Sequence, residues 1–224
     1  MVNMKKTFIY KVAKGLIIKT PFYFFLLNFK NGMRQKKELR YWEENGRPVP
    51  PPHLIKQRKL INYAKEYGLR IFIETGTYYG DMVEAMRKKF DLIYSIELSA
   101  ELHRRAIQRF KSCKHICLVQ GDSGKILGEV VNKINQPALF WLDGHYSAGE
   151  TAKGSKDTPI LKELNHIFNA PDFGHVIVID DARCFGIDPA YPTIEELKHF
   201  ICSQKSNASI NIQDDSIRII NKRN

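Results

Sequence analysis

From Leu69 onward the chain alternates short β-branched or aromatic runs with helix-like stretches, and this alternation limits the possible folds more than any other feature. The apolar runs fall at 69–74, 92–97, 115–120, 138–142 and 175–179. Helical patterning separates them at 81–90, 99–110, 123–134 and 158–169, and a further stretch at 193–202 precedes a closing pair of runs at 208–213 and 216–221. Strands that are apolar along their length need cover on both faces. The pattern therefore predicts an α/β fold, a doubly wound and mostly parallel sheet with helices on both sides. In such sheets ligands bind beyond the carboxyl ends of the strands, where the strand order reverses. No internal repeat or low-complexity tract competes with this reading.

A different kind of sequence precedes the alternation. Residues 1–59 carry 14 Lys/Arg and 3 Asp/Glu, while the rest carries 21 of each sign, so the whole net charge of +11 is N-terminal. A neutral body argues against a catalytic domain built around a basic nucleic-acid cleft, and nucleic acid is not an expected partner. Residues 4–30 mix lysines with Leu16-Ile17-Ile18 and the run Phe22 to Leu27. That segment is interrupted by Lys19 and Pro21 and too short for a spanning helix of about 20 apolar residues. Its helical periodicity is poor, and it lacks the small-residue cleavage site of a secretory signal. Two readings stand: peripheral contact with an anionic membrane surface, or an N-terminal subdomain or homo-oligomer contact. The proline-rich stretch 45–53 can be neither helix nor central strand. The chain thus divides into a basic, aromatic arm with its connector, 1–53, and a main domain, 54–224. The main domain opens with an amphipathic helix over 54–67, apolar at Leu54, Leu60, Ile61 and Ala64 and stopped at Gly68. Four cysteines without a CxxC pair read as thiols of a reducing compartment, and the expected location is cytoplasmic.

The strand ends carry the chemistry. Ile71-Phe72-Ile73-Glu74 runs into Thr75-Gly76-Thr77-Tyr78-Tyr79-Gly80 and then a helix. Glycine lets such a turn take otherwise costly dihedrals and lets backbone approach a ligand. The second strand ends at Glu97, 21 residues after Gly76, where an acid binds ribose hydroxyls in nucleotide-binding folds; a solvent-facing carboxylate is the plain alternative. The third ends Gly121-Asp122-Ser123, where Asp122 can accept from an adenine amine, cap the next helix, or do both.

On these residues the chain resembles the class I S-adenosylmethionine (SAM)-dependent methyltransferases. Glu74-x-Gly76-x-x-x-Gly80 resembles their first motif, Glu97 their ribose-binding acid and Asp122 their adenine-side residue, over roughly residues 69–221. The resemblance implies a seven-stranded Rossmann-like sheet ending in an antiparallel β-pair. It also implies a SAM site made of Glu74, Gly76, Thr77, Gly80, Glu97, Asp122, Ser123 and Asp143. NAD-binding folds compete, but they usually place a glycine where Tyr78 stands. A nucleotide sugar stays open as ligand.

Two further strands end in aspartate, at Asp143 and at Asp180-Asp181. Carboxylates brought together repel unless they share a proton or a cation. Hard oxygen donors suit Mg²⁺ or Mn²⁺ better than zinc. Neighbouring residues of a regular strand point opposite ways, so both Asp180 and Asp181 reach one ion only if the strand ends at Asp180 and the chain turns. The alternative is one aspartate capping a helix and the other pairing with Arg183. The pattern resembles metal-dependent O-methyltransferases of the catechol and macrocin types. That resemblance implies Asp143, Asp180 and Asp181 as metal ligands and a small-molecule or glycan hydroxyl as acceptor. His145 stands where the macrocin type places its base, with Tyr146 in reserve. The polar, glycine-containing stretch 144–158 reads as a lid, Lys153 and Arg183 as candidate binders of an anionic acceptor group, and Asp157 as the cap of a helix starting near Pro159. The competing functions are a nucleic-acid methyltransferase that uses the basic arm and a non-catalytic nucleotide-binding protein.

Overall fold

The structure is a computed structural model and describes residues 21–144 and 158–221. Seven strands form one sheet in the order β3-β2-β1-β4-β5-β7-β6. They are β1 (Ile71–Thr75), β2 (Leu92–Glu97), β3 (Ile116–Gln120), β4 (Ala138–Leu142), β5 (Val176–Ile179), β6 (Ala208–Gln213) and β7 (Ser216–Asn221). Strands β1 to β5 pair in parallel; β7 runs antiparallel to both β5 and β6. The expected seven-stranded sheet with a closing antiparallel pair is the one observed.

The strand pattern explains the layering. Successive side chains alternate faces, and both faces are apolar. Ile71, Ile73, Phe140, Leu142, Ile177 and Ile179 enter one core cluster. Phe72, Leu139, Trp141, Val176 and Val178 enter the other. The first cluster is closed by α5 (Ser123–Val131), α6 (Ile160–Asn169) and α7 (Ile194–Gln204), through Leu127, Leu164 and Leu197 among others. The second is closed by α2 (His53–Glu66), α3 (Asp81–Met86) and α4 (Ala100–Phe110), through Leu60, Met86 and Phe110. Burying a side chain of this size contributes about 1.5–3 kcal/mol, so each face anchors its helices independently of local helix propensity.

The N-terminal segment departs from expectation. Residues Pro21–Glu44 form a long helix, α1. Pro21 stands at its first position, where the missing N–H breaks no intrahelical bond. Beyond Lys30, the part-buried positions Gly32, Gln35, Leu39 and Trp42 recur at helical spacing, and α1 contacts α2. The Trp42 indole N–H donates to the Pro48 carbonyl at 2.6 Å, which ties the connector back onto the helix. Residues 45–52 are neither helix nor strand, as expected, but His53, expected in the connector, is the first residue of α2. Gly68 takes a left-handed conformation (φ 65°) just past the end of α2. Among the described residues no helix is long and apolar enough to cross a membrane.

Candidate active site

The strand order reverses between β1 and β4, and the loops leaving their carboxyl ends form the site. The glycine loop is held rigidly. Gly76 sits at φ +86°, and a Cβ there would lie 2.5 Å from the Asp143 carbonyl oxygen. The β1 loop therefore packs directly on the end of β4, and only glycine allows it. Gly80, also left-handed, precedes α3 and packs against the Phe110 ring, where a Cβ would come within 2.7 Å. The Gly76 and Thr77 amides both donate to Ile96 O, at 2.9 and 3.3 Å.

Glu97 is buried and its carboxylate is a staple. Oε2 accepts from the Tyr78 amide and Oε1 from the Ser99 amide, each at 2.8 Å. The first bond holds Tyr78 in its left-handed conformation (φ 49°). A carboxylate has about four acceptor positions, so Glu97 keeps lone pairs beyond those two bonds. Asp122 caps α5: its Oδ1 accepts from the Gly124 amide at 3.0 Å. Ser123 next to it is buried.

Glu74 lies beneath the loop, 1% exposed. Its Oε1 accepts from the Ser95 hydroxyl at 2.6 Å, Oε2 has no partner, and Thr77 Oγ1 bonds Ser95 in turn. Burial pushes the Glu74 carboxyl up to about 8, against the pull of the Ser95 hydrogen bond. Glu163 on α6 is a second buried acid behind the loop, pushed up to about 7 mainly by burial, with the hydroxyls of Ser123 and Thr75 opposing. Its Oε1 lacks a partner and lies 3.2 Å from where a Cβ on Gly144 would be.

The aspartates meet at the ends of β4 and β5. Strand β5 stops at Ile179, and Asp181 takes a left-handed conformation (φ 56°, ψ 44°), so the chain turns there. The turn removes the alternation that would have separated Asp180 from Asp181. Oxygens of Asp143, Asp180 and Asp181 lie within 4.8 Å of one another. Asp180 is 3% exposed, and its Oδ1 has no hydrogen-bond partner. Burial, then Asp180 and Asp181, raises the Asp143 carboxyl well above the usual range. Burial also pushes Asp180 up to about 6, with Lys56 opposing. Three hard oxygen donors, one of them buried and orphaned, fit a divalent cation of the Mg²⁺ type.

Two cations already face this cluster. Lys56 reaches down from α2, its Nζ 2.6 Å from Asp180 Oδ2 and 3.5 Å from Asp181 Oδ1. Burial would lower its ammonium, but Asp180, Asp181 and Asp143 outweigh that and hold it above its ordinary value. Arg183 donates to Asp181 Oδ1 at 2.8 Å and to the buried Asp215. The Arg183–Asp181 pairing expected as the alternative to a metal is therefore present, alongside the cluster rather than instead of it.

No protein-family model and no curated protein matches the sequence, whereas solved structures match its fold. The O-methyltransferase TomG from Streptomyces achromogenes, solved with SAM, superposes with a TM-score of 0.55 at 16% identity, covering 83% of this chain and 87% of that one. An O-methyltransferase from Bacillus cereus, solved with S-adenosylhomocysteine, gives 0.56 at 13% identity over 84% and 90%. The N-methyltransferase NodS from Bradyrhizobium japonicum gives 0.50 at 14% identity over 75% and 95%. The fold is that of the class I SAM-dependent methyltransferases. Within this methyltransferase fold Glu74, Gly76, Thr77, Gly80, Glu97, Asp122, Ser123 and Asp143 all come to one edge, and Asp180 and Asp181 join them.

His145, Tyr146, Lys153 and Asp157 lie outside the described residues, as does most of the 144–158 stretch. At the start of α6 the Thr158 hydroxyl accepts from the Ile160 amide, at 3.4 Å. Lys56 and Glu163 are the two residues that sequence reasoning passed over. Both carried a signal. Lys56 stands one turn before Leu60, on the face that buries Tyr63 and Ala64, and Glu163 interrupts the buried stripe Ile160, Leu164, Ile167. A charge inside an apolar stripe is a buried charge awaiting a partner.

Proposed function

We propose that this protein is a SAM-dependent methyltransferase that transfers the methyl group to a hydroxyl with the help of a divalent cation. The observation that supports the reading best is the pairing of two features on one sheet edge: a glycine loop packed on the end of β4, and a cluster of three aspartates beside it. The loop side presents the carboxylates of Glu97 and Asp122 as acceptors. It suits a ligand that brings donors: an ammonium group, ribose hydroxyls and an adenine amine.

SAM, when bound, supplies a sulfonium methyl for in-line transfer, and a divalent ion on Asp143, Asp180 and Asp181 supplies the charge that makes an acceptor hydroxyl easier to deprotonate. The chain's own residues do the positioning. Gly76 lets the loop close on β4, Glu97 fixes Tyr78, and the αL turn at Asp181 brings two carboxylates to one side. We assign the acceptor proton to His145, with Tyr146 in reserve, because an imidazole titrates near neutrality. The acceptor we infer is a sugar hydroxyl on a glycan or glycosylated small molecule. Tyr78 and Tyr79 support this: they are 46% and 40% exposed on the glycine loop, their rings 4.1 Å apart, and offer apolar faces at the mouth of the site.

The test is calorimetry of SAM with the protein in chelator and in Mg²⁺, followed by methyl transfer from labelled SAM to a panel of glycans and glycosides. SAM is expected to bind without the ion, whereas transfer requires it. Full turnover in excess chelator would sink the metal assignment, and absence of SAM binding would sink the methyltransferase reading. Exposed Arg34, Lys36, Lys37 and Arg40 on α1 favour a second role for the arm at a polyanion or an anionic membrane. Steeply salt-dependent RNA binding or vesicle binding lost on truncating the arm would support it.

A further inference from the structure

We propose that Lys56 competes with the divalent cation for the aspartate cluster, so that loading the ion moves the ammonium off Asp180 and Lys56 sets how tightly the ion is held. This rests on the cation reading of Asp143, Asp180 and Asp181. Lys56 belongs to no element of the alternating βα sequence. It comes from α2, the helix that joins the connector to β1, and is carried in by the burial of Leu60, Tyr63 and Ala64 on the sheet face. The packing of α2 thus holds one ammonium at the end of β5, with 12% of the side chain exposed. Lys59 fixes the same face: its ammonium donates to Gln213 O at 2.6 Å and pairs with Asp214 at 3.1 Å. The helix is thus pinned within the turn that follows Lys56.

The geometry makes the two cations rivals. Lys56 Nζ sits 2.6 Å from one oxygen of Asp180, while the other, Oδ1, is buried and unpartnered. An ion reaching Oδ1 would meet an ammonium on the same carboxylate, and like charges that close repel strongly in a buried site. Charge says why an ion can win the exchange. A divalent ion brings two positive charges to the carboxylates of Asp143, Asp180 and Asp181, where Lys56 brings one. Arg183 is held between Asp181 and Asp215 and cannot yield. Lys56 has a flexible four-carbon stem and can.

The experiment titrates Mn²⁺ into the full-length chain and its Lys56→Met and Lys56→Arg variants by calorimetry, with SAM affinity measured on the same samples. Lys56→Met is expected to bind Mn²⁺ about tenfold tighter or better, and Lys56→Arg no tighter than the parent. In the unmodified protein, acylation of Lys56 by an amine-reactive reagent, read by peptide mass spectrometry, is expected to rise several-fold when Mn²⁺ saturates the site. Equal or weaker Mn²⁺ binding by Lys56→Met overturns the proposal but leaves the cation site standing. Should that variant not fold, unchanged acylation of the unmodified protein overturns it equally. Intact SAM binding with no Mn²⁺ binding in any form removes the cation reading together with the proposal, and leaves only the SAM site.

Discussion

At the β1–β3 end of the carboxyl edge Glu97 accepts from two backbone amides and Asp122 caps a helix, whereas at the β4–β5 end Asp143, Asp180 and Asp181 face one another. In the first region each carboxylate is satisfied by fixed main-chain donors, which need no rearrangement to keep a ligand-binding loop in shape. In the second, the carboxylates are offset by side-chain cations, Lys56 and Arg183. The difference separates two tasks on one edge. On the proposed reading, the loop side is organised before its ligand arrives, and the aspartate side rearranges when a cation does.

Four perturbations test that contrast. The largest effect is expected from Gly76→Ala. The new Cβ meets the Asp143 carbonyl and the left-handed backbone strains, together costing on the order of 3 kcal/mol or more, so SAM affinity should fall by about 100-fold or the domain should melt early. Near-normal SAM titration of a stable Gly76→Ala protein would break the idea of a rigid loop.

Next comes Glu74→Gln. The folded chain holds the Glu74 proton up to about pH 8, while the unfolded chain releases it near the ordinary 4.5. The unfolded state therefore binds fewer protons in that window, and stability falls as pH rises from about 4.5 to 8. Removing the titration should stabilise the domain by about 3 kcal/mol at pH 7 and by nearly nothing at pH 4.5. Urea midpoints across that range give the answer; a gain that does not grow with pH would show that Glu74 is ionised in the fold.

Glu97→Gln is third. An amide NH₂ turned toward a backbone N–H loses one of the two staples, a cost of about 1–3 kcal/mol, with SAM affinity down about tenfold. Denaturation and SAM titration on one preparation measure both, and loss of neither would mean that the Glu97 bonds do not hold the loop.

The smallest effect on the cofactor belongs to Asp181→Asn. Asparagine tolerates the left-handed conformation there, so SAM affinity should stay within about twofold while Mn²⁺ binding is lost. Parallel loss of both would mean that the two ends of the edge act as one site.

The sheet was legible in the sequence almost to the residue, because a strand buried on both faces has few alternatives to a continuous apolar run. The expected strand at 138–142 is β4, and the expected pair at 208–213 and 216–221 is β6 and β7. Helix α1 was harder to see, since Pro21 reads as a breaker unless it falls in a first turn. At the site, the acids at the strand ends could be named from spacing alone. Which bonds they make could not: Glu97 was expected to face a ribose and is also occupied in holding Tyr78.

What the sequence by itself determined, then, is the βα alternation, the glycine loop and the row of acids at the strand ends, all of which follow from local periodicity and turn chemistry. Only the tertiary structure decided that Asp180 and Asp181 converge, because that depends on the αL turn at Asp181. Only the tertiary structure brought Lys56 to them across 124 residues of chain. Such a contact is set by how α2 packs on the sheet, and packing of one element on another leaves no periodic mark in either.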